Sequence, residues 1–252
     1  MTYKGRNFFQ LLIIAILCIQ SSCKLDSKLT DICIDPEPSE STITILSIGD
    51  SRVEGNTPNF ESYRYHLWRN LKLNNWDINF IGSRMDNGVY ESVNGICFDN
   101  EHEGIGGATT SIILSRLSNM KLEYTPDIVL ISIGGNDLLD QNLTVTQILS
   151  NLRKIVFQIR RISLQSTIII EQIAPGKSSF MTPSLTEKIT EFNYKIIDLG
   201  KTLDRSAARV LTIDLQTNWN DDLMADDLHY NNEGAQYVGD KYFSIISEHY
   251  GN

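Results

Sequence analysis

Short apolar runs alternate with longer amphipathic segments along most of this chain. Five runs are rich in apolar and β-branched residues, a pattern that predicts buried β-strands, and they are 42–48, 78–81, 127–133, 167–173 and 210–215. Between them, apolar residues recur at helical spacing, and the predicted helices are 63–73, 109–120, 144–162, 185–203 and 232–246. This alternation predicts an α/β fold with a mostly parallel sheet covered on both faces. A polar segment rich in Gly, Asn and Asp predicts a long loop over 84–107.

The first 22 residues predict an export signal rather than a folded element. Lys4 and Arg6 precede an apolar run over 8–19 that is shorter than a membrane-spanning helix. Two serines then precede Cys23, an ending that resembles a bacterial lipoprotein signal in which Cys23 is lipidated. We therefore expect an exported protein, anchored to a membrane in the periplasm or at the cell surface, with plain secretion as the alternative.

The rest of the chain predicts a tether followed by one domain. Residues 23–41 contain Asp-Pro-Glu-Pro-Ser-Glu-Ser, which favours an extended segment, and residues 42–252 are long enough to bury a core. The net charge of −9 and the lack of a basic stripe argue against a nucleic-acid partner. Cys33 and Cys97 remain to be assigned, and export permits either a disulfide or two buried thiols.

Three short blocks carry side chains suited to acyl transfer. Gly-Asp-Ser at 49–51 and Gly-Gly-Asn-Asp at 134–137 each follow a predicted strand, and Asp-Asp-Leu-His occupies 226–229. Ligand sites in parallel sheets lie beyond the carboxyl ends of the strands, which is where the first two blocks fall. Taken singly, each block also fits a common turn or helix cap. Together they supply a hydroxyl, an amide, an imidazole and a carboxylate.

A serine hydroxyl becomes a nucleophile when an imidazole takes its proton and a carboxylate holds that imidazole. Ser51 directly follows a strand, and His229 lies three residues after Asp226. Among the other histidines, His102 is the serious rival as the base. Two further carboxylates compete at less favourable spacing, Asp222 and Asp227. Asn136 can donate through its side-chain amide, or it can belong to a turn that caps the next helix.

The order Gly-Asp-Ser, loop glycine, Gly-x-Asn-Asp, Asp-x-x-His resembles the SGNH (GDSL-type) hydrolases over residues 43–245. This resemblance implies a three-layer α/β/α sandwich with a mostly parallel, flavodoxin-like sheet of five strands. It also implies that Ser51 is the nucleophile, His229 the base and Asp226 the residue that orients His229. No metal or organic cofactor is implied.

The same resemblance implies an oxyanion hole with three donors. They are the N–H groups of Ser51 and Gly107 and the side-chain amide of Asn136. Gly107 is preferred to Gly106 because Gly106-Gly107-Ala108-Thr109 leads into a helix, as in the family.

Segments between the blocks are similar to carbohydrate esterase family 3, which includes acetyl xylan esterases. The similar segments are Tyr63-Arg64 to Leu67-Trp68, Asn79 to Ser83, and His102-Glu103-Gly104 leading to Gly107. One departure is Arg52-Val53-Glu54-Gly55, where that family more often has Ile-Thr-Glu-Gly. The similarity implies an esterase that removes acetyl groups from sugar hydroxyls. The candidate substrate-binding residues are Asp50, Arg52, His102, Glu103 and Asp137.

Two other functions stay open at this point. A lysophospholipase or thioesterase of the same superfamily would need an apolar acyl groove, and the polar composition of 84–107 argues against one. A non-catalytic glycan-binding protein on a hydrolase scaffold would need no turnover, because a fold does not guarantee activity. The expected partner is an acylated carbohydrate, and a monomer is the default.

Overall fold

The computed structural model describes residues 33–120, 122, 125–140 and 142–251. The predicted export signal, the candidate lipidation site Cys23 and the first part of the predicted tether lie outside these residues. Seven strands are described: β1 (Ile43–Gly49), β2 (Ile78–Ile81), β3 (Arg84–Met85), β4 (Glu101–Gly104), β5 (Ile128–Ser132), β6 (Thr167–Glu171) and β7 (Val210–Ile213). The helices are α1 (Ser51–Glu54), α2 (Arg64–Leu73), α3 (Thr110–Leu117), α4 (Gly135–Leu139), α5 (Val145–Ile162), α6 (Pro183–Leu203) and α7 (Asn232–Tyr250), with a 3₁₀ turn at Asp221–Leu223.

The described sheet has seven strands rather than the five expected, and the five predicted strands run parallel in the order β2-β1-β5-β6-β7. This is the flavodoxin-like order, and the predicted α/β fold with a mostly parallel sheet is confirmed. Strands β1, β5 and β6 lie in the middle of the sheet and are almost wholly buried, as their continuous apolar sequences predict.

Two short strands extend the sheet within the segment that the sequence predicted to be loop. The carboxyl end of β1 pairs with β4 at Ile48 and Gly49, just beyond its pairing with β2, and β3 pairs antiparallel with β4. Strand β4 reads Glu-His-Glu-Gly, although three of its four residues are buried. The prediction of an uninterrupted loop was wrong because polar partners, rather than an apolar pattern, hold β4 in place.

Helices cover both faces of the sheet and make the sandwich three layers thick. One core contains side chains from α3, α5 and α6 together with Leu46, Ile48, Val129 and Ile131 of the sheet. The other contains side chains from α2 and α7 together with Ile45, Ile128 and Leu130. Successive residues of a strand point to opposite faces, so each central strand contributes to both cores.

The chain before β1 is fastened to the domain. Cys33 and Cys97 form a disulfide, so the alternative of two free thiols does not hold. Beside it, the Ile34 N–H donates to Gly95 O over 2.9 Å, and the Cys97 N–H donates to Ile34 O over 2.8 Å. Cys33 and Ile34 of the predicted tether therefore contact the segment between β3 and β4.

Gly49 ends β1 where the chain turns into α1, and it has no room for a side chain. A Cβ at Gly49 would lie 2.0 Å from Ser132 O and 2.5 Å from a methyl carbon of Val53. The first atom belongs to the backbone of β5 and cannot rotate away. The close approach of β1 and β5 sets where the next residues, Asp50 and Ser51, emerge from the sheet.

We predict that Gly49→Ala lowers the free energy of unfolding by about 2 kcal/mol or more, the cost of overpacking a filled interior. Urea unfolding followed by circular dichroism measures the change. Gly135→Ala is the matched control, because its Cβ would meet no atom closer than 3.6 Å, and it should stay within about 0.5 kcal/mol of the wild type. Equal destabilisation by both substitutions would contradict the steric argument.

Candidate active site

A cleft of about 640 Å³ opens at the carboxyl ends of the central strands. Ser51 begins α1 directly after β1, and Asn136 lies in α4 directly after β5. Both line this cleft together with Gly107 and His229. The three sequence blocks are up to 178 residues apart. The fold brings them together at the carboxyl edge of the sheet, where the sequence pattern placed the first two.

A chain of hydrogen bonds joins Ser51, His229 and Asp226. Ser51 Oγ lies 2.9 Å from His229 Nε2, and His229 Nδ1 lies 2.8 Å from Asp226 Oδ2. A carboxylate only accepts, so this arrangement places the imidazole proton on Nδ1 and leaves Nε2 to accept from the hydroxyl. That is the arrangement in which an imidazole can remove the proton of a serine.

A tight turn over 226–229 sets the position of His229. Asp226 Oδ1 accepts hydrogen bonds from the N–H groups of Leu228 and His229, both over 2.8 Å. The carbonyl of His229 in turn accepts from Ala225 N–H over 2.9 Å. Partial burial acts to raise the pKa of Asp226, but the hydrogen bonds from Leu228 and His229 hold that pKa below its ordinary value. Asp226 therefore stays ionised beside the imidazole.

The competing residues are placed elsewhere. Asp222 and Asp227 are exposed, and the carboxylate that contacts His229 is that of Asp226. His102 is buried in β4, where its Nδ1 accepts from Gly104 N–H over 2.9 Å. Burial and the nearby charges of Arg64 and Arg84 lower the pKa of His102 to about 2. A histidine so held cannot act as the base for Ser51.

Phe60 is a site residue that the sequence reasoning missed. Its ring stacks on the His229 imidazole with the centroids 3.9 Å apart and the planes 14° from parallel. The stacking restricts rotation of the imidazole out of the plane that it shares with Ser51 and Asp226. Phe60 lies in an irregular segment between α1 and α2, so no periodicity in the sequence pointed to it.

The three groups predicted to form an oxyanion hole lie along the same cleft. Within the described residues, the N–H groups of Ser51 and Gly107 have no protein acceptor. The N–H of Gly106 is instead bound to Glu54 Oε2 over 2.8 Å, which favours Gly107 as the donor, as the resemblance implied. Gly107 has a φ of +72°, a conformation that suits glycine. The Asn136 side-chain amide donates to Ala108 O over 2.9 Å, and its second N–H is left for a ligand.

Three of the predicted substrate-binding residues are turned into the protein, and this part of the prediction was wrong. Glu103 is 1% exposed, pairs with Arg116 over 3.0 Å and accepts from the Ser83 N–H. Asp137 is also 1% exposed and accepts from the N–H and the hydroxyl of Thr110. His102 is the third. Their polar groups hold loops and helices together, a role that a polar sequence pattern does not distinguish from ligand binding.

The other two, Asp50 and Arg52, line the cleft but are engaged with the protein. Asp50 caps α1 by accepting from the Arg52 N–H over 3.0 Å, and burial raises the pKa of this carboxyl. The Arg52 guanidinium donates to the carbonyls of Leu228 and Ala174. Both side chains thus hold the backbone next to Ser51 and His229 in place.

The cleft has two chemically different halves. One is apolar and is lined by Leu139, Ile173, Met181, Leu185 and Ile189. The other is mostly polar and includes Asn56, Thr57, Arg84, Asp86 and Asn87. His229 is stacked on Phe60 next to this polar half. The site can thus receive a molecule with one hydroxyl-rich part and one hydrocarbon part.

A buried carboxyl, Glu171 at the end of β6, lies beneath this cleft and was also missed. It accepts from Ser132 Oγ over 2.9 Å, from Tyr242 over 3.0 Å and from Tyr230 over 3.3 Å. Burial raises the pKa of Glu171 to about 7, against the lowering effect of Arg52. The run of isoleucines before Glu171 in β6 predicts a buried strand and does not indicate a polar cluster.

The described residues contain neither a metal-binding cluster nor a helix that could span a membrane. No group of three or more histidine, cysteine or carboxylate side chains is arranged there to hold a metal ion. None of the helices in those ranges combines the length and hydropathy needed to cross a bilayer.

Comparison with known proteins relates residues 47–237 to the GDSL-like lipase/acylhydrolase family, whose model they match. No curated protein has a significant match to the sequence. Similar solved structures include a carbohydrate esterase family 3 protein from Talaromyces cellulolyticus, at 20% identity and a TM-score of 0.69, covering 82% of this chain and 97% of that chain.

Two further structures have similar folds. The family 3 carbohydrate esterase of Clostridium thermocellum is 23% identical, with a TM-score of 0.65, and the match covers 82% of this chain and 96% of that chain. The lipase/acylhydrolase of Enterococcus faecalis is 20% identical, with a TM-score of 0.60, and the match covers 82% and 97% of the two chains. At these identities the likeness establishes the shared fold.

We predict that Glu171 makes stability depend on pH. Its pKa rises from 4.5 to about 7 on folding, so folding favours the protonated form. Its stabilising contribution is complete below pH 4.5 and is lost as the pH rises through about 7. Urea unfolding from pH 4 to pH 8 should show a steeper fall in the free energy of unfolding for the wild type than for Glu171→Gln. Parallel curves for the two proteins would contradict this assignment.

Proposed function

The chain belongs to the GDSL-like lipase/acylhydrolase family, and on that premise we propose that it is a serine esterase that removes short acyl groups, acetyl above all, from carbohydrate hydroxyls. In this proposal Ser51 is the nucleophile, His229 the general base and Asp226 the carboxylate that orients the imidazole. The observation that carries the proposal is the hydrogen-bond chain from Ser51 Oγ to His229 over 2.9 Å and on to Asp226 over 2.8 Å.

The reaction follows from the positions of these groups. His229 Nε2 takes the hydroxyl proton while Ser51 Oγ attacks the ester carbonyl, and the electron pair of the C=O bond moves to its oxygen. The N–H groups of Ser51 and Gly107 and the amide of Asn136 stabilise that oxyanion. When the tetrahedral intermediate collapses, the imidazolium gives its proton to the departing sugar oxygen. An acyl-enzyme remains on Ser51.

Water then completes the cycle by the same route. His229 removes a proton from the attacking water, and the second tetrahedral intermediate releases the acid and restores the Ser51 hydroxyl. Asp226 stabilises the imidazolium formed in each half-reaction. The reaction uses only groups of the protein and water.

Two observations support a carbohydrate as the alcohol part of the substrate. Two similar structures are carbohydrate esterases of family 3 by name. The half of the cleft next to Phe60 is mostly polar, with amide, hydroxyl and charged side chains that can bind sugar hydroxyls. The alcohol has to leave beside His229, which protonates it, and His229 lies next to this polar half.

A lipid-directed acyl hydrolase is the second candidate, because the other half of the cleft is apolar. The polar composition of 84–107 argued against an apolar acyl groove, yet Leu139, Ile173 and Ile189 line one beside Asn136. A hydrocarbon chain longer than acetyl would bury apolar surface there, at roughly 0.8 kcal/mol per methylene. The name of the Enterococcus structure, a lipase/acylhydrolase, is compatible with this candidate.

Export and lipid anchoring are a further part of the proposal. A disulfide persists in oxidising compartments, so the bond between Cys33 and Cys97 supports export. We propose that Cys23 carries the lipid. Cys23→Ser should move the protein from the membrane fraction to the soluble exported fraction of the producing cells. Equal amounts of both proteins in the membrane fraction would show that Cys23 is not the anchor.

The function is tested by release of acid from acetylated xylan, acetylated pectin and a phospholipid. We predict acetate release from a polysaccharide by the wild type, and a loss of several orders of magnitude in kcat for Ser51→Ala and His229→Ala because each removes a reacting group. Asn136→Ala should lower kcat by about 100-fold, as the loss of one oxyanion donor does. Circular dichroism checks that each variant is folded.

The outcomes separate the candidates. Fatty acid released from the phospholipid, with no acetate from either polysaccharide, would favour the lipid-directed function. Binding of a glycan without turnover of any substrate would favour a non-catalytic glycan-binding protein. Near-normal turnover by Ser51→Ala or His229→Ala would refute the mechanism.

A further inference from the structure

Arg52 follows the nucleophile directly, and its side chain reaches the segment that carries the base. Its Nε donates to Leu228 O over 2.8 Å, and its Nη1 donates to Ala174 O over 2.9 Å. The guanidinium carbon also lies 4.8 Å from the centre of the Tyr230 ring, and Nη1 is 3.4 Å from the Tyr230 hydroxyl. With 8% of its surface exposed, Arg52 contacts the residues on either side of His229.

The contact with Leu228 fixes the peptide group from which His229 extends. The carbonyl of the Leu228–His229 peptide accepts from Arg52, and the N–H of the same peptide donates to Asp226 Oδ1 over 2.8 Å. A planar peptide group held at both its oxygen and its nitrogen cannot rotate about the chain. The Cα of His229 belongs to that plane, so the starting point of the imidazole is fixed.

Two carboxyls, those of Asp50 and Glu171, lie near the buried charge of Arg52. Burial acts to lower the pKa of Arg52, but Tyr230, Asp50 and Glu171 raise that pKa above its ordinary value. Asp50 lies on one side, where it caps α1, and Glu171 lies at the end of β6. The guanidinium is therefore held in place by charge as well as by its hydrogen bonds.

We propose that Arg52 is a positioning residue that holds His229 within hydrogen-bonding distance of Ser51 by fixing the Leu228–His229 peptide. This role rests on the proposed function of His229 as the base. It replaces the expectation that Arg52 binds substrate. Because Ser51 and Arg52 are neighbours in α1, one short helix sets the positions of both the nucleophile and the base.

Neither lysine nor methionine can substitute for the guanidinium here. Arginine carries donors in a rigid fork, and the carbonyls of Leu228 and Ala174 are bound by different nitrogens of that fork. Lysine keeps the charge but offers a single nitrogen. Methionine fills similar space without charge, and it leaves both carbonyls without their donor.

The test compares Arg52→Met and Arg52→Lys with Arg160→Met in the full chain. Arg160 likewise donates to backbone carbonyls, those of Leu164, Ser166 and Arg209, but at the opposite edge of the sheet. With p-nitrophenyl acetate as substrate, Arg52→Met should lower kcat by about 100-fold, the effect of a misplacement of roughly 1 Å. KM should change by less than about twofold, because no substrate contact is lost. Arg52→Lys should fall between Arg52→Met and the wild type.

Arg160→Met should lower the melting temperature and leave kcat per folded molecule unchanged. Nitrogen-15 NMR of the histidine side chains supplies a second readout that needs no substrate, with the His229 signals assigned from their loss in His229→Gln. In the wild type and Arg160→Met, these signals should show a proton fixed on Nδ1. In Arg52→Met they should shift toward those of an imidazole that exchanges between tautomers.

Two results would overturn the proposal. Unchanged kcat and unchanged His229 signals in folded Arg52→Met would leave Arg52 a purely structural residue. A rise in KM alone, again with unchanged signals, would make it a substrate contact. If the wild type hydrolyses no ester, the proposed function fails, and the NMR comparison of Arg52→Met with Arg160→Met still decides whether Arg52 positions His229.

Discussion

The short helix α1 is the constraint on which the rest of the site depends. Its four residues include Ser51, whose hydroxyl meets His229, and Arg52, which holds the Leu228 carbonyl. They also include Glu54, whose carboxylate binds the Gly106 N–H and Arg84, each through a separate oxygen. Three of its four side chains thus reach the proposed base and the loop that carries Gly107, the proposed oxyanion donor. The helix itself is placed by Gly49, whose contact with the backbone of β5 leaves no room for a Cβ.

Buried arginines supply the donors that irregular segments lack. Backbone carbonyls outside helices and strands need partners when they are buried, and the segments around this cleft are largely irregular. Arg64, with no exposed surface, donates to the carbonyls of Val53 and Glu54 at the end of α1 and to that of Asn100. It also pairs with Asp86. Arg52 does the same for Leu228 and Ala174. Arg64 thus ties the end of α1 to the segment before β4, and Arg52 ties the start of α1 to the segments around Leu228 and Ala174.

The sequence predicted the alternating strands and helices and the site residues that come just after a strand. Continuous apolar runs marked the five parallel strands, and Ser51 and Asn136 could be placed because each directly follows such a run. Strands β3 and β4 escaped prediction because their residues are mostly polar. Hydrogen bonds that Glu103 accepts from the Ser83 N–H and from Arg116 take the place of apolar contacts. Phe60 and Glu171 act in the site through tertiary contacts alone, which no local pattern records.

Because a local pattern does not record tertiary contacts, polar residues near the blocks were predicted to bind substrate. His102, Glu103 and Asp137 stand next to predicted site residues in the sequence, but their side chains are 1% exposed. Charged groups are rarely buried so fully without partners. When the partners of a polar loop residue are unknown, its place in the sequence fits substrate binding as well as a structural role. The partners are the Arg116 and Thr110 side chains and backbone N–H groups, and groups of these kinds occur at many other places in the sequence.

The contrast between Asp226 and Glu171 shows why the carboxylate beside His229 lies near the surface. Glu171 is buried, and its pKa of about 7 leaves it partly protonated at neutral pH. A protonated carboxyl beside Nδ1 would donate to the imidazole and favour the tautomer that carries its proton on Nε2, which cannot accept from Ser51. Asp226 is 53% exposed and accepts from two N–H groups and the imidazole, so its pKa lies below the ordinary value. Incomplete burial lets the hydrogen bonds from Leu228 and His229 keep this carboxylate ionised, and the local turn keeps it in place.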